Sequence, residues 1–366
     1  MAAERALKRR HVHKFGGSSL ADPVCYRRVA SILEQQAEQQ GGGRELVVVS
    51  AAGKTTNRLI QLVELAEAGD EAAGEAITAL HAYQQSLIDG LLEGELLLDL
   101  SQQLTDDMQQ IAKTLEGQFD RFERNGLLAF GEVWSARLLA ALLTSRGDKA
   151  IWLDARSFLR AEDGALVKVN TAISSELLKA RLVEHPGRIV VTGFIAADME
   201  GRSLLLGRNG SDYSASLLAA LADGESTTIW SDVAGVYSAD PRRVKEARLL
   251  ERLSLAEANE LARLGSSVLH SRTLQPVADR LLRPIESEYV TYRGTDPVKY
   301  IVVLGGGYTF NPDWAPSSNL IGNSLPRVTE GVRLYLAHPG AKMVFTGAGG
   351  PNTLSNAATA AKVAES

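Results

Sequence analysis

Apolar runs of a few residues alternate with longer stretches of helical period over most of the chain. HVHKF at 11–15, ELVVV at 45–49, KAIWLDA at 149–155, RIVVTGFIA at 188–196 and TTIWSDV at 227–233 read as strands. Each runs into a polar or Gly-rich loop. Between them the spacing predicts a helix over about 23–38 and long helical stretches over about 57–145. There, LIQLVELAEA and VWSARLLAALL set apolar residues three and four apart. Buried strands alternating with helices predict an α/β fold with a mainly parallel central sheet covered on both faces. Such sheets bind ligands beyond the carboxyl ends of their strands, so chemistry is sought in those loops.

The pattern restarts late. After the amphipathic run RTLQPVADRLLRP comes YIVVLGGG at 300–307, then a predicted helix over about 324–337 and a second strand in KMVFTG. Gly305-Gly306-Gly307 lacks the third spaced glycine and the acidic residue of a dinucleotide fingerprint. Two strands and about one helix cannot close a parallel sheet or bury both its faces. The predicted organisation is therefore a catalytic domain over 11–277 and a truncated α/β fragment over 278–366.

Composition narrows the class. A chain of 366 residues has room for one large α/β domain or two ordinary ones. A net charge of −5 argues against nonspecific nucleic-acid binding. The single cysteine, Cys25, excludes an internal disulfide and fits a reducing compartment, and it reads as a small half-buried residue on a helix. The six histidines show no metal-ligand spacing, although His11 and His13 alternate on the first strand. MAAERALKRR is basic but runs into HVHKFGG instead of an apolar signal region. No apolar stretch of about 18 residues is read, so no membrane span is expected. A cytoplasmic chain without nucleic-acid or membrane partners is expected.

The strand ends carry the candidate chemistry. Lys14 precedes Gly16-Gly17, where close backbone approach, free N–H groups and a point charge suit phosphate. The second strand opens into Ser50-Ala51-Ala52-Gly53-Lys54-Thr55-Thr56, small and hydroxyl-bearing, or else a helix capped by Thr55 or Thr56. Gly131-Glu132 is read as opening a helix, which would make the glutamate a first-turn dipole partner. Gly193-Phe194 ends another strand. Gly207-Arg208-Asn209-Gly210-Ser211-Asp212 sets a guanidinium, a carboxylate and a Gly-rich helix start close together. Ser231, Asp232, Tyr237, Asp240 and Arg242 lie in the long loop after TTIW.

KFGGSS, VVVSAAGKTTN, GEVWSARL, VVTGFI, LLGRNGSDYSA, IWSDVAGVYSADPR and VLHSRTLQP stand in the order and spacing of the aspartokinases. Residues 11–277 thus resemble that branch of the amino-acid-kinase family. The resemblance implies the amino-acid-kinase fold and ATP-dependent phosphorylation of the L-aspartate β-carboxylate, with Mg²⁺. It implies that Lys14 and the Gly16–Gly17 backbone hold the transferring phosphoryl group, and that Ser50, Thr56, Glu132, Phe194, Arg208 and Asp212 surround aspartate. Ser231, Asp232, Tyr237, Asp240 and Arg242 would line the nucleotide pocket. Arg208 suits the α-carboxylate and Glu132 the ammonium, while Asp212 suits either the ammonium or Lys14. Ser266-Ser267 stands where many aspartokinases carry a basic residue. A homodimer is the assembly considered. An inactive or weakly nucleotide-binding chimera, or another amino-acid kinase, is the alternative.

LQPVADRLLRPIES, IVVLGGG and WAPSSNL resemble a different family, the envelope-biogenesis proteins of the ElyC/SanA/YdcF type, over about 274–366. Leu274–Val277 is common to both patterns, so the chain reads as a chimera joined there. Regulatory segments and a dehydrogenase fingerprint are not found, so no inhibition by lysine or threonine is expected.

Overall fold

The run Leu46–Val49 has all four side chains buried, as a strand covered on both faces requires. A computed structural model describes residues 10–40, 44–240, 244–250, 252–263, 270–281, 300–303 and 342–345. In chain order the first strands are β1 (His11–Phe15), β2 (Leu46–Val49), β3 (Ile151–Leu153), β4 (Ala161–Glu162) and β5 (Lys168–Val169). They are followed by β6 (Ile189–Thr192), β7 (Ile195–Ala197), β8 (Ser203–Leu205) and β9 (Ser226–Trp230). The helices are α1 (Pro23–Gln40), α2 (Thr55–Glu67), α3 (Ala72–Asp89), α4 (Gly94–Leu115) and α5 (Arg121–Ser145). Then come α6 (Thr171–Glu184), α7 (Gly210–Leu221), α8 (Leu255–Arg263) and α9 (Ser271–Leu281).

Five strands form one sheet in the order β3-β6-β2-β1-β9, every neighbouring pair parallel. Successive side chains point to opposite faces. Val47 and Val49 therefore enter a core with Phe15, Val190 and residues of α1 to α5. Leu46 and Val48 enter a second core with Val12, Ile189, Val191, α6 and α7. Full burial of each such aliphatic chain stabilises by roughly 1.5–3 kcal/mol.

Expectations are corrected at two places along the chain. The helix bearing Glu132 begins at Arg121, not at Gly131. It starts with a capping box in which Asp120 Oδ1 accepts from Glu123 N, and Glu123 Oε2 accepts from Asp120 N, each at 2.8 Å. This helix, α5, is buried nearly all round, so its sequence lacks the polar face that would mark its course. By length and composition it is also apolar enough to cross a membrane, against the expectation of no such stretch. Yet 83% of its most apolar window is buried inside the protein. Second, RIVVTGFIA is not one strand: Phe194 has φ 67°, and the chain leaves the sheet there. The residues beyond form β7, paired antiparallel with β8.

The amino ends of the strands are pinned by buried charge. Arg188 is 1% exposed, pairs with Glu45 at 3.0 Å and with Asp148, and donates to Leu33 O at 3.1 Å. Arg10, just before β1, donates to the carbonyls of Arg44, Gly187, Leu182 and His185.

Contacts divide the chain into two compact units, Met1–Pro284 and Ile285–Ser366. Helix α9 runs unbroken across Leu274–Val277, with Pro276 inside it. In the second unit β10 (Tyr300–Val303) pairs in parallel with β11 (Lys342–Phe345). The predicted helix over 324–337 and Gly305–Gly307 lie outside the described residues.

Candidate functional site

Strands β1, β2, β6 and β9 end side by side, and a cavity of about 510 Å³ opens beyond them. Lys14, Gly16, Gly17, Ser50, Thr56 and Glu132 line it from one side. Phe194, Arg208 and Asp212 line it from the other.

Lys14 Nζ lies 2.6 Å from Asp212 Oδ1, and both side chains are largely buried. The contact is an ion pair without hydrogen-bond alignment, since that oxygen has no aligned donor. Two backbone bonds join the neighbouring loops: Ser50 N donates to Phe15 O at 3.1 Å, and Gly53 N to Gly17 O at 2.9 Å. The fit at Gly17 leaves no room for a side chain, because a Cβ there would sit 2.7 Å from Ala51 O.

Glu132 is not a first-turn residue. It sits in the middle of α5, 2% exposed, where Ala51 N donates to its Oε1 at 3.1 Å. Its Oε2 is buried with no partner. Burial pushes the carboxyl from its ordinary 4.5 up to about 8, against the pull of the Ala51 N–H. Gly131 makes the approach possible, since a Cβ there would come 2.8 Å from Ala51 Cβ.

Neither Thr55 nor Thr56 caps α2. Lys54 holds the cap position without a side-chain bond, and Thr55 Oγ1 donates to Ala52 O at 2.6 Å. Gln84 Nε2 of α3 donates to Thr55 Oγ1 at 2.9 Å, and Tyr83 OH donates to Ala21 O at 2.9 Å. The two loops are thereby braced from behind. Phe194 N donates to Ser214 Oγ at 3.0 Å, tying the β6 end to α7.

Ser231, Asp232, Tyr237 and Asp240 do not line this cavity. They follow β9, whose Trp230 is in register with Phe15, so the segment starts one strand away from Gly16. Ser231 Oγ donates to Asp232 Oδ1 at 3.3 Å, and Tyr237 forms an antiparallel bridge with Leu249. Arg242 and Ser266-Ser267 lie outside the described residues. His13 is fully buried, and Trp230 Nε1 donates to its Nδ1 at 3.2 Å. Burial pushes His13 down to about 4. His11 contacts Ser226 Oγ instead, and no metal-binding group of three or more His, Cys, Asp or Glu occurs among the described residues.

A larger depression, about 790 Å³, lies at the opposite end of the sheet. Its Arg146 pairs with Glu34 and its Arg188 with Asp148, so those charges are already satisfied. Asn209 and Ser211 also line the cavity; the sequence marked them as part of the Gly207–Asp212 motif but gave them no role. Tyr83 and Gln84 were missed, and of these Gln84 left a signal, as a polar residue on the apolar stripe of Leu80, Leu87 and Ile88.

Sheet and cavity together define an open parallel α/β protein with a crevice at its carboxyl edge, lined by Lys14 and Arg208 among others. The chain belongs to the amino acid kinase family, whose sequence profile matches residues 9–282. It is 46% identical over 307 residues to bifunctional aspartokinase/homoserine dehydrogenase 2 of Escherichia coli (strain K12), covering 83% of this chain and 37% of that protein. It is 63% identical over 104 residues to the envelope biogenesis factor ElyC of Escherichia coli (strain K12), covering 28% of this chain and 40% of that protein. The two aligned stretches overlap rather than abut. In structure it is similar to E. coli aspartokinase III in complex with aspartate and ADP. The TM-score is 0.64 at 32% identity, over 74% of this chain and 60% of that one. The chain thus spans well under two thirds of the curated relatives it matches.

Proposed function

We propose that residues 11–277 form an aspartate kinase domain that moves the γ-phosphoryl of ATP onto the β-carboxylate of L-aspartate. The products are 4-phospho-L-aspartate and ADP, the first step from aspartate toward its derived amino acids. One observation carries this: Lys14, Asp212, Arg208 and a buried Glu132 with a partnerless oxygen converge on one cavity.

The attacking carboxylate is already ionised near neutral pH, since a free aspartate side chain titrates near about 4. No general base is required. Phosphoryl transfer then needs in-line positioning and neutralisation of spreading negative charge. Lys14 and the N–H groups of Gly16 and Gly17 supply donors for the phosphoryl oxygens, and Asp212 holds the Lys14 ammonium in place. Arg208 takes the α-carboxylate in a two-pronged grip, and Glu132 Oε2 takes the ammonium. Ser50 and Thr56 hydroxyls face the remaining polar edge, while Phe194 closes the apolar side. Ser231, Asp232, Tyr237, Asp240 and Arg242 hold the nucleotide.

Magnesium would arrive on the nucleotide phosphates, whose charge it neutralises. The cytoplasm, which supplies both ATP and L-aspartate, is the proposed location. No activity is assigned to residues 278–366.

The test is hydroxamate formation with ATP, Mg²⁺, L-aspartate and hydroxylamine. Wild type should give aspartate-dependent product, and Lys14→Ala should lower kcat by on the order of 10²–10³-fold. No aspartate-dependent turnover in wild type, or an unimpaired Lys14→Ala enzyme, overturns the proposal.

A further inference from the structure

Arg272 lies on α9, far along the chain from the cavity, yet its guanidinium reaches the base of the turn that carries Arg208. It donates to two main-chain carbonyls, Leu206 O and Val167 O, and stacks over the Tyr213 ring at 4.4 Å. Leu206 immediately precedes the Gly207–Gly210 turn, and Tyr213 immediately follows Asp212. One side chain therefore grips the chain on both sides of the segment that presents Arg208 and Asp212 to the cavity.

That segment has little of its own to hold it. Gly207 has φ 79° and Asn209 has φ 55°, a left-handed conformation that non-glycine residues adopt rarely. Asn209 stands at the cap position of α7 without making a side-chain cap bond. Its internal main-chain ties are Gly210 N donating to Gly207 O at 2.9 Å and Tyr213 N donating to Asn209 O at 3.0 Å. Support comes from outside, and a planar guanidinium suits it, with donors for two separate carbonyls and a face for the aromatic ring. A lysine ammonium has donors but neither the rigid planar fork nor a flat face to lay on the ring.

We propose that Arg272 is a positioning residue for substrate selection. By holding the Leu206 and Val167 main chains and covering Tyr213, it fixes the turn so that Arg208 meets the α-carboxylate while Asp212 stays on Lys14. The substrate part rests on the aspartate kinase function proposed above. The mechanical part, a turn held by Arg272, does not.

The experiment uses the full chain with Arg272→Lys, Arg272→Gln and Arg272→Ala. All three should raise the KM for L-aspartate by roughly tenfold or more, as misplacement of a binding group by an ångström allows. The KM for ATP should stay within about twofold, and kcat should fall less than the aspartate KM rises. Amide hydrogen exchange over 206–213 should quicken while β2 and β6 exchange at wild-type rates. Added guanidinium should recover part of the aspartate affinity of Arg272→Ala. An unchanged aspartate KM overturns the proposal. So does a rise of both KM values accompanied by faster exchange throughout the sheet, which marks a general folding defect. If wild type shows no aspartate-dependent turnover, the kinase function fails, and the exchange comparison alone decides whether Arg272 holds the turn.

Discussion

Glu132 shows how one side chain can couple binding to protonation. With its carboxyl raised to about 8 by burial, it is mainly protonated near pH 7 when the cavity is empty. An ammonium placed against the partnerless Oε2 favours the ionised form. Binding of L-aspartate at about pH 7 should therefore release close to one proton. Calorimetry in buffers of different ionisation enthalpy reads this directly, and a buffer-independent enthalpy contradicts it. The same shift has a stability cost with a definite sign. The folded value lies above the unfolded one, 4.5, so between the two the folded state keeps a proton that the unfolded chain gives up. Stability then falls as pH rises through that window. Glu132→Gln should be more stable than wild type at about pH 8.5, by on the order of a few kcal/mol in denaturant unfolding, with the gap closing toward pH 5. A constant gap across pH would show that burial of the charge is not the cause.

Among the elements, the join between the first two strand-end loops is the most sharply constrained. A Cβ at Gly17 meets two backbone oxygens, Ala51 O at 2.7 Å and Gly53 O at 2.9 Å, neither of which can swing aside as a side chain could. Gly17→Ala should cost about 1–3 kcal/mol and lower turnover more than stability alone explains, since the 16–17 and 50–53 loops must part. Thermal melting beside the hydroxamate assay checks both, and wild-type behaviour would mean the loops yield freely. Much of this layer was legible beforehand. The strands were marked by short apolar runs, and α1 was predicted over 23–38 and found over Pro23–Gln40. What stayed hidden was structure without period. Buried nearly all round, with Gly126 and Gly131 inside it, α5 gave no polar stripe from which to count its turns. The reversal at Phe194 depends on a left-handed φ that an apolar sequence does not announce. The grouping of Lys14 with Asp212 was foreseen as one of two options. The brace from Tyr83 and Gln84 was not, because its partners are main-chain and hydroxyl groups far away in sequence.

For the whole molecule, the division into Met1–Pro284 and Ile285–Ser366 makes a direct prediction. A chain ended after Pro284 should keep a cooperative melting transition and a kcat within about twofold of the full chain, because its sheet and both cores are internal to the first unit. Loss of either would tie that fold to residues beyond 284. Within the unit, the two ends of the sheet have different occupations. Arg10, Arg188, Glu45 and Asp148 anchor the amino ends, while every residue assigned here to substrate or phosphate stands at the carboxyl ends. Selection can therefore act on the two ends almost separately. Replacements around the crevice can change what it accepts without drawing on the anchor that keeps the strands in register, and drift at the anchor is filtered by folding. A sheet divided in this way is a scaffold on which new substrate preferences can be tried at little risk to the fold.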